Sequence, residues 1–129
     1  MKPILLLPLF LLFACGSKPQ FDYYYSADKT EILTIMKSEG KVYFISGYYN
    51  QINPPKSYIT IVSGMDNAYS CYLEWHEKIC IINTMFGDWI VVGHSQNITL
   101  NKINDNLFYN RVTCDTTGKY IAITGDIFP

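Results

Sequence analysis

Apolar and polar residues alternate along much of the chain, and turn-forming residues separate the alternating segments. From Tyr69 to Trp75 every second residue lies on one face of an extended chain, which is the period of a strand directed at a core, and Cys71 belongs to that face. Such segments recur roughly every 8 to 12 residues, a spacing typical of all-β domains. The pattern predicts an all-β fold, a single antiparallel meander of about eight to ten strands closed as a small β-barrel or sandwich.

Two interpretations compete for the segment from Asp28 to Gly40. An acidic residue followed three positions later by Glu31 resembles the capping box of a helix. Against this, residues 30–36 are rich in β-branched side chains, and a turn signal precedes a clear strand at Lys41 to Ile45. We therefore predict one arm of a β-hairpin. Further along, the two prolines within Asn50 to Lys56 lack backbone donors, so that segment is predicted to be a loop.

The first 17 residues combine one lysine, an apolar run and a small residue before a cysteine. The run is shorter than the roughly 20 apolar residues of a membrane-spanning helix, and its layout is typical of a secretory signal. The sequence LFAC at residues 12–15 resembles the lipobox of bacterial lipoproteins. This resemblance implies cleavage after Ala14 and lipidation of Cys15, and Gly16, which is not aspartate, implies sorting to the outer membrane.

This interpretation divides the chain into three parts. Residues 1–14 form the lipoprotein signal peptide, residues 15–22 a lipidated tether and residues 23–129 a single β-barrel or sandwich domain, a length that suits one core. Each buried methylene contributes about 0.8 kcal/mol, so several acyl chains on Cys15 would hold the protein stably on a membrane. We expect a lipid-anchored protein of the outer membrane that faces the periplasm or the cell surface.

Composition narrows the possible partners. Ten basic and eleven acidic residues give a net charge of −1. Arg111 is the one arginine and no basic cluster occurs. We therefore expect no nucleic-acid partner, because binding of nucleic acid depends on several cations that neutralise phosphates together. The eleven tyrosines suit half-buried strands and also protein interfaces.

Once Cys15 carries lipid, three cysteines remain for an oxidising compartment, where disulfides persist. The sequence alone leaves all three pairings open. If the turn is centred between residues 75 and 76, Cys71 and Cys80 face each other at a separation that a disulfide can bridge. We predict that pair, with Cys114 as the alternative partner. Without metal-ligand spacing, no metal or other cofactor is expected.

Catalytic chemistry has little support in this sequence. The chain has two histidines and no nucleophile elbow of the G-x-S-x-G type, so we predict that the protein is not an enzyme. The predicted hairpin tip at Trp75, His76 and Glu77 combines an aromatic side chain with charges on a rigid turn. That composition is typical of interface hot spots, and we predict a partner-binding site there.

One family resemblance bears on function. A small lipoprotein with a predicted barrel and the segment Tyr69-Ser70-Cys71 is similar in outline to the membrane-bound inhibitors of c-type lysozyme. Independently of this resemblance, the lipid anchor, the abundant tyrosines and the missing catalytic set favour an outer-membrane-anchored envelope lipoprotein that binds a protein partner. It would act as an inhibitor, an immunity protein or a phage-exclusion protein. The alternative is an accessory structural subunit of an envelope secretion or pilus complex.

Overall fold

The computed structural model describes residues 18–62, 68–84, 90–103, 106–107 and 121–126, and these contain nine β-strands in two sheets. The predicted all-β class is therefore confirmed. In chain order the strands are β1 (Gln20–Tyr25), β2 (Ile32–Ser38), β3 (Lys41–Ser46), β4 (Tyr58–Val62), β5 (Ala68–His76), β6 (Ile79–Thr84), β7 (Ile90–His94), β8 (Ile98–Lys102) and β9 (Ile121–Asp126).

The strands do not follow one another as a single meander. The first sheet has the order β1-β2-β3-β4-β7 and the second has the order β8-β6-β5-β9. Neighbouring strands are antiparallel except for β6 and β8, which are parallel. The prediction of a single antiparallel meander is wrong, because the chain leaves one sheet for the other between β4 and β5 and returns for β7. Both sheets have open edges among the described strands, and these strands form no closed barrel.

A shared core joins the inner faces of the two sheets. Phe44 and Leu33 come from the first sheet and Ile82 from the second, and all three are fully buried in one cluster. Each of these strands alternates inward apolar side chains with outward ones, as the period of two residues requires. The other buried members of the cluster are Ile35, Val42, Ile59, Cys71, Leu73, Cys80, Ile98 and Ile123.

The hairpin of β2 and β3 confirms the strand interpretation of residues 28–40. Ser38 pairs with Lys41, so only Glu39 and Gly40 form the turn. Their φ angles are 51° and 69°, and two positive φ angles are typical of the type I′ turns that match strand twist. Side-chain burial on the strand outweighs the local capping signal, because Thr34 and its neighbours are fully buried between other strands.

Strand β1 begins earlier than the predicted domain boundary. Gln20 to Asp22, assigned to the tether from sequence, pair with β2 in the same ladder as the tyrosines that follow. Phe21 packs against a cluster on the outer face of the first sheet, and Lys37 Nζ lies 3.7 Å from Asp22 Oδ2. These contacts order residues whose polar sequence resembles a linker, so the last three residues of the predicted tether belong to strand β1.

The outer face of the first sheet is apolar and aromatic. Met36, Tyr43 and Ile45 are buried there although they point away from the shared core. Tyr58 packs edge-on against Tyr43, with ring centroids 5.2 Å apart. Much of the tyrosine content of the described residues therefore serves packing on this face, in agreement with the fit of tyrosine to pleated, half-buried surfaces.

The loop from β3 to β4, residues 47–57, covers part of this aromatic face, and we call it the crossing loop. Its predicted loop character is confirmed. Thr34 fastens it to the sheet, because the hydroxyl Oγ1 donates to the Gly47 carbonyl at 2.6 Å and accepts from the Tyr49 amide at 3.1 Å. Tyr23 adds a third bond from its hydroxyl to the Tyr49 carbonyl at 3.1 Å. Buried polar groups are thus paired where loop and sheet meet.

The two sheets have two ends in common, which we call the near end and the far end. The near end holds the beginning of β1 and the turn between β2 and β3. The far end holds the end of β1 and, through the ladder, Ser46 and His94. Only three residues connect β7 to β8, so β8 begins at the far end. The Cys80 amide, near the start of β6, donates to the Asn97 carbonyl at 2.9 Å. The hairpin turn of β5 and β6 therefore also lies at the far end.

Candidate partner-binding surface

The hairpin of β5 and β6 forms the predicted contact site, and its register decides which side chains are available. His76 pairs with Ile79, which leaves Glu77 and Lys78 as a two-residue turn. Glu77 has a φ of 55°, in the left-handed region that two-residue hairpin turns require. The centre of the turn therefore lies two residues later in the chain than the position that would place Cys71 opposite Cys80.

Trp75 does not protrude from this turn. It pairs with Cys80 inside the ladder and packs, half-buried, against the shared core. The later turn explains the difference from the prediction, because Trp75 still belongs to the regular strand and shares the inward face with Cys71 and Leu73. Its indole supports the base of the hairpin instead of forming the exposed tip, and the contact role of Trp75 stays a prediction.

His76 and Glu77 remain accessible at the far end. The His76 ring nitrogen Nε2 lies 2.9 Å from Glu74 Oε1. The histidine side chain is 58% exposed and the glutamate side chain 14% exposed. The largely buried carboxylate therefore orients the imidazole ring, and the ring itself is accessible to solvent. The tip thus presents an oriented imidazole beside the exposed charges of the turn.

The predicted disulfide between Cys71 and Cys80 is absent. The register pairs Cys71 with Thr84 and Cys80 with Trp75, so the two cysteines are offset along the hairpin instead of facing each other. Both are buried free thiols. The position of the turn accounts for the offset. When the centre of a hairpin moves by two residues, each residue pairs with a partner four positions further along the chain, so Cys71 faces Thr84 instead of Cys80. The alternative partner, Cys114, lies outside the described residues.

Burial changes the acidity of both thiols. It raises the pKa of Cys71 from 9.0 to about 12, and it raises the pKa of Cys80 to about 12 as well, with a smaller contribution from Cys71. The cause is desolvation, which disfavours the charged thiolate in a dry core. Since the thiolate is the nucleophilic form of cysteine, we expect both thiols to be unreactive in the folded protein.

We expect the protein to lose stability under alkaline conditions because of these thiols. In the unfolded chain a thiol with a pKa of 9.0 ionises above that pH, whereas the folded thiol stays protonated up to about 12. The stabilisation is therefore complete below pH 9 and is lost as the pH rises toward 12. The free energy of unfolding should fall by about 1.4 kcal/mol per thiol between about pH 8 and pH 10, measured by urea titration.

The double variant Cys71→Ala and Cys80→Ala is the control for this titration. It should be less stable at neutral pH, because small cavities replace the sulfur atoms, but its stability should depend less on pH. Burial also raises the pKa values of Tyr24 and Tyr43, so the variant keeps a slope at the highest pH. Equal slopes for the two proteins in the range around pH 9 would show that the thiols do not titrate as described.

An open polar cavity of about 580 Å³ lies at the far end. His94 is exposed beside it, and Ser57 donates its hydroxyl to the His94 carbonyl at 3.2 Å. Hydrogen-bonding side chains on loops and strand ends dominate the lining, which gives a surface suited to polar contacts. The residues that line the cavity are Ser46, Lys56, Ser57, His94, Ser95, Gln96 and Asn97.

A second ordered corner at the far end surrounds Asp28. The hydroxyl of Ser26 donates to Asp28 Oδ1 at 2.6 Å, and the amide and hydroxyl of Thr30 donate to the same oxygen at 3.1 and 2.8 Å. These hydrogen bonds, that of Ser26 first, hold the pKa of Asp28 below its usual value. The loop between β1 and β2 therefore presents a fixed negative charge at the same end as the hairpin tip.

Among the described residues, no three histidine, cysteine, aspartate or glutamate side chains converge as a metal site. None of the helical structure in that part of the chain is long and apolar enough to cross a membrane. Comparisons with protein-family models, with curated proteins and with solved structures find no significant match. The similarity in outline to lysozyme inhibitors, carried by the segment around Cys71, stays a prediction.

Sequence patterns identified only part of this surface. His76 and Glu77 were predicted and lie at the far end, whereas the cavity residues Gln96 and Asn97 were not singled out. Their signal is weak, because they stand in an ordinary polar connection. Ile52 of the crossing loop, which is not part of this surface, was also missed, although an isolated apolar residue stands out in a proline-rich polar loop.

Proposed function

We propose that this protein is a lipid-anchored envelope lipoprotein of the outer membrane that binds a protein partner through its far end. The contact surface consists of the hairpin tip at His76 and Glu77 together with the polar cavity beside His94. Its action is that of an inhibitor, an immunity protein or a phage-exclusion protein, in which occupancy of the partner is the effect. For the architecture we propose a sandwich, since two sheets share one core.

The observation that carries this proposal is the position of the surface relative to the chain start. Lys18 precedes β1 at the near end, only three residues after Cys15. β1 then runs away from that end, and the predicted contact residues lie where it finishes. A lipid on Cys15 would thus leave the far end directed away from the membrane, where a second protein can reach it.

The chemistry of the surface indicates the kind of partner. The turn presents opposite charges on Glu77 and Lys78 beside the His76 imidazole, and the adjacent cavity offers amide and hydroxyl groups. Such a surface fits a polar, hydrogen-bonding patch on a folded protein better than an apolar helix. Charges at the rim of an interface chiefly govern association rate and specificity.

Charge reversal at the two hairpin tips tests the proposal. Glu77→Lys should weaken capture of the partner from envelope extracts about tenfold, which is ~1.4 kcal/mol, because it replaces the carboxylate at the contact with a second cation beside Lys78. Glu39→Lys is the matched control, because Glu39 is also exposed, has a positive φ and occupies a two-residue turn, but lies at the near end. Each full-length variant is compared with the unaltered protein by quantitative mass spectrometry of the bound proteins.

The two variants separate the possible outcomes. Loss of one partner with Glu77→Lys and its retention with Glu39→Lys would agree with the proposed surface. Equal retention by both would exclude the hairpin tip as the contact. Capture of a stable assembly of several subunits that neither charge affects would favour an accessory subunit of an envelope machine.

A further inference from the structure

Ile52 is the most exposed of the large apolar side chains in the described part of the chain, with 74% of its surface accessible. It lies in the crossing loop, between polar residues and a pair of prolines. Inside this loop the Tyr49 hydroxyl donates to the Asn53 carbonyl, and the Tyr49 amide is bonded to Thr34, so the segment that carries Ile52 is held in place. The hydrogen bonds of the loop therefore fix an apolar side chain in an exposed position.

The crossing loop brings Ile52 to the near end of the sheets. The loop leaves β3 and enters β4 at the far end, since Ser46 and Ser57 line the same cavity there. Its middle crosses the outer face, and Ile52 lines a cavity of about 280 Å³ together with Glu39 of the near-end turn. The same cavity is lined by Lys18, the first described residue.

Chain length then relates Ile52 to the lipid. Only residues 16 and 17 separate Cys15 from Lys18. Three residue steps span at most about 11 Å even when fully extended. A lipid on Cys15 is therefore held within a short distance of the cavity that Ile52 lines, whatever path the two intervening residues take.

We propose that the near end docks onto the surface of the membrane that holds the lipid anchor, with Ile52 inserted at the boundary between headgroups and acyl chains. This inference rests on the proposed lipidation of Cys15. It adds a second contact with the bilayer, one made by the folded domain itself.

The other side chains around Ile52 suit such a boundary. Lys18 and Lys41 are exposed at the near end and can approach lipid phosphates, whereas Glu39 is the acidic residue that must stay in water. Pro54 is exposed beside Ile52 and adds apolar surface without a backbone donor. Two contacts, one covalent and one from the loop, would restrict the tilt of the domain and keep its far end directed outward.

The experiment measures the depth of an indole placed at this position. Full-length lipidated protein carrying Ile52→Trp is reconstituted into phosphatidylcholine and phosphatidylglycerol vesicles that contain lipid brominated along the acyl chain. The matched control is Tyr25→Trp, an exposed aromatic position at the far end. The unaltered protein, with its own two tryptophans, supplies the background signal.

We expect the indole of Ile52→Trp to shift its emission to shorter wavelength and to be quenched by the brominated lipid, since interfacial side chains lie ~5–10 Å deep. The indole of Tyr25→Trp should show neither effect and should remain open to acrylamide in the water. Equal quenching at the two positions, or none at either, would overturn the proposal. Protection of the Ile52→Trp indole from acrylamide without quenching by lipid would mean that a protein or a second copy covers the loop.

Flotation of the same vesicles separates this proposal from the anchoring on which it rests. The full-length protein should float with the vesicles, and Cys15→Ser should greatly reduce flotation. If the unaltered protein does not float, the anchor is wrong and the docking falls with it. If it floats but the Ile52→Trp indole stays in water, the anchor stands and only the docking is wrong.

Discussion

Replacing Gly93 with alanine is expected to lower the free energy of unfolding by about 3 kcal/mol or more. Gly93 lies in β7 with a φ of +101°, where a side chain is strained, and a Cβ atom there would lie 2.4 Å from the backbone oxygen of Tyr58. That oxygen belongs to the neighbouring strand β4, so relief requires the ladder between β4 and β7 to separate. Chemical unfolding followed by circular dichroism measures the loss.

Gly47→Ala provides the matched comparison. Gly47 has a similar φ of +91°, but a Cβ atom there would have no neighbour within 4 Å. Its substitution should cost only the backbone strain, about 1–2 kcal/mol. If the two variants lost equal stability, the close approach of β7 to β4 at Tyr58 would not exist as described.

Phe44→Ala should destabilise the protein by about 3–5 kcal/mol, which is a large part of the total stability of a small domain. Phe44 is fully buried in the hydrophobic cluster where the two sheets pack against each other. Truncation removes its contacts with both sheets and leaves a cavity that a β-ladder cannot easily fill. Urea unfolding by circular dichroism gives the free energy.

Phe44→Leu is the graded control for that measurement, because it keeps an apolar side chain of more similar volume. It should cost less than about 1.5 kcal/mol if the core repacks around it. A small loss for Phe44→Ala, close to that for leucine, would mean that the two inner faces are not packed against each other at this point.

The hairpin of β5 and β6 shows what a sequence pattern can and cannot determine. Alternation placed Cys71 on the inward face, and this prediction is confirmed by its complete burial. The same alternation is unchanged when the turn moves by two residues, so it does not distinguish the predicted pairing from the observed one. The turn position depends on whether Glu77 accepts a positive φ, and nothing in its residue type signals that.

The division into two sheets is harder still to obtain from sequence. Most of the predicted strands within the described residues are present, because each needs only a local pattern. Pairings such as β4 with β7 and β6 with β8 join segments that are distant along the chain, and several arrangements bury the same apolar faces. The first half of β1 was missed for a related reason, since Phe21 gains its partners only once the outer face of the first sheet exists.

The parallel pairing of β6 with β8 also governs how the molecule can form and come apart. Between these strands the chain passes through β7, which belongs to the other sheet. Neither sheet therefore consists only of strands that follow one another in the chain. The edge strand β7 joins the first sheet after the chain has formed β5 and β6 of the second, and the edge strand β8 joins the second sheet after the chain has formed β7. We therefore expect the two sheets to form and unfold together, and we expect the high contact order to make folding slow compared with that of a local meander.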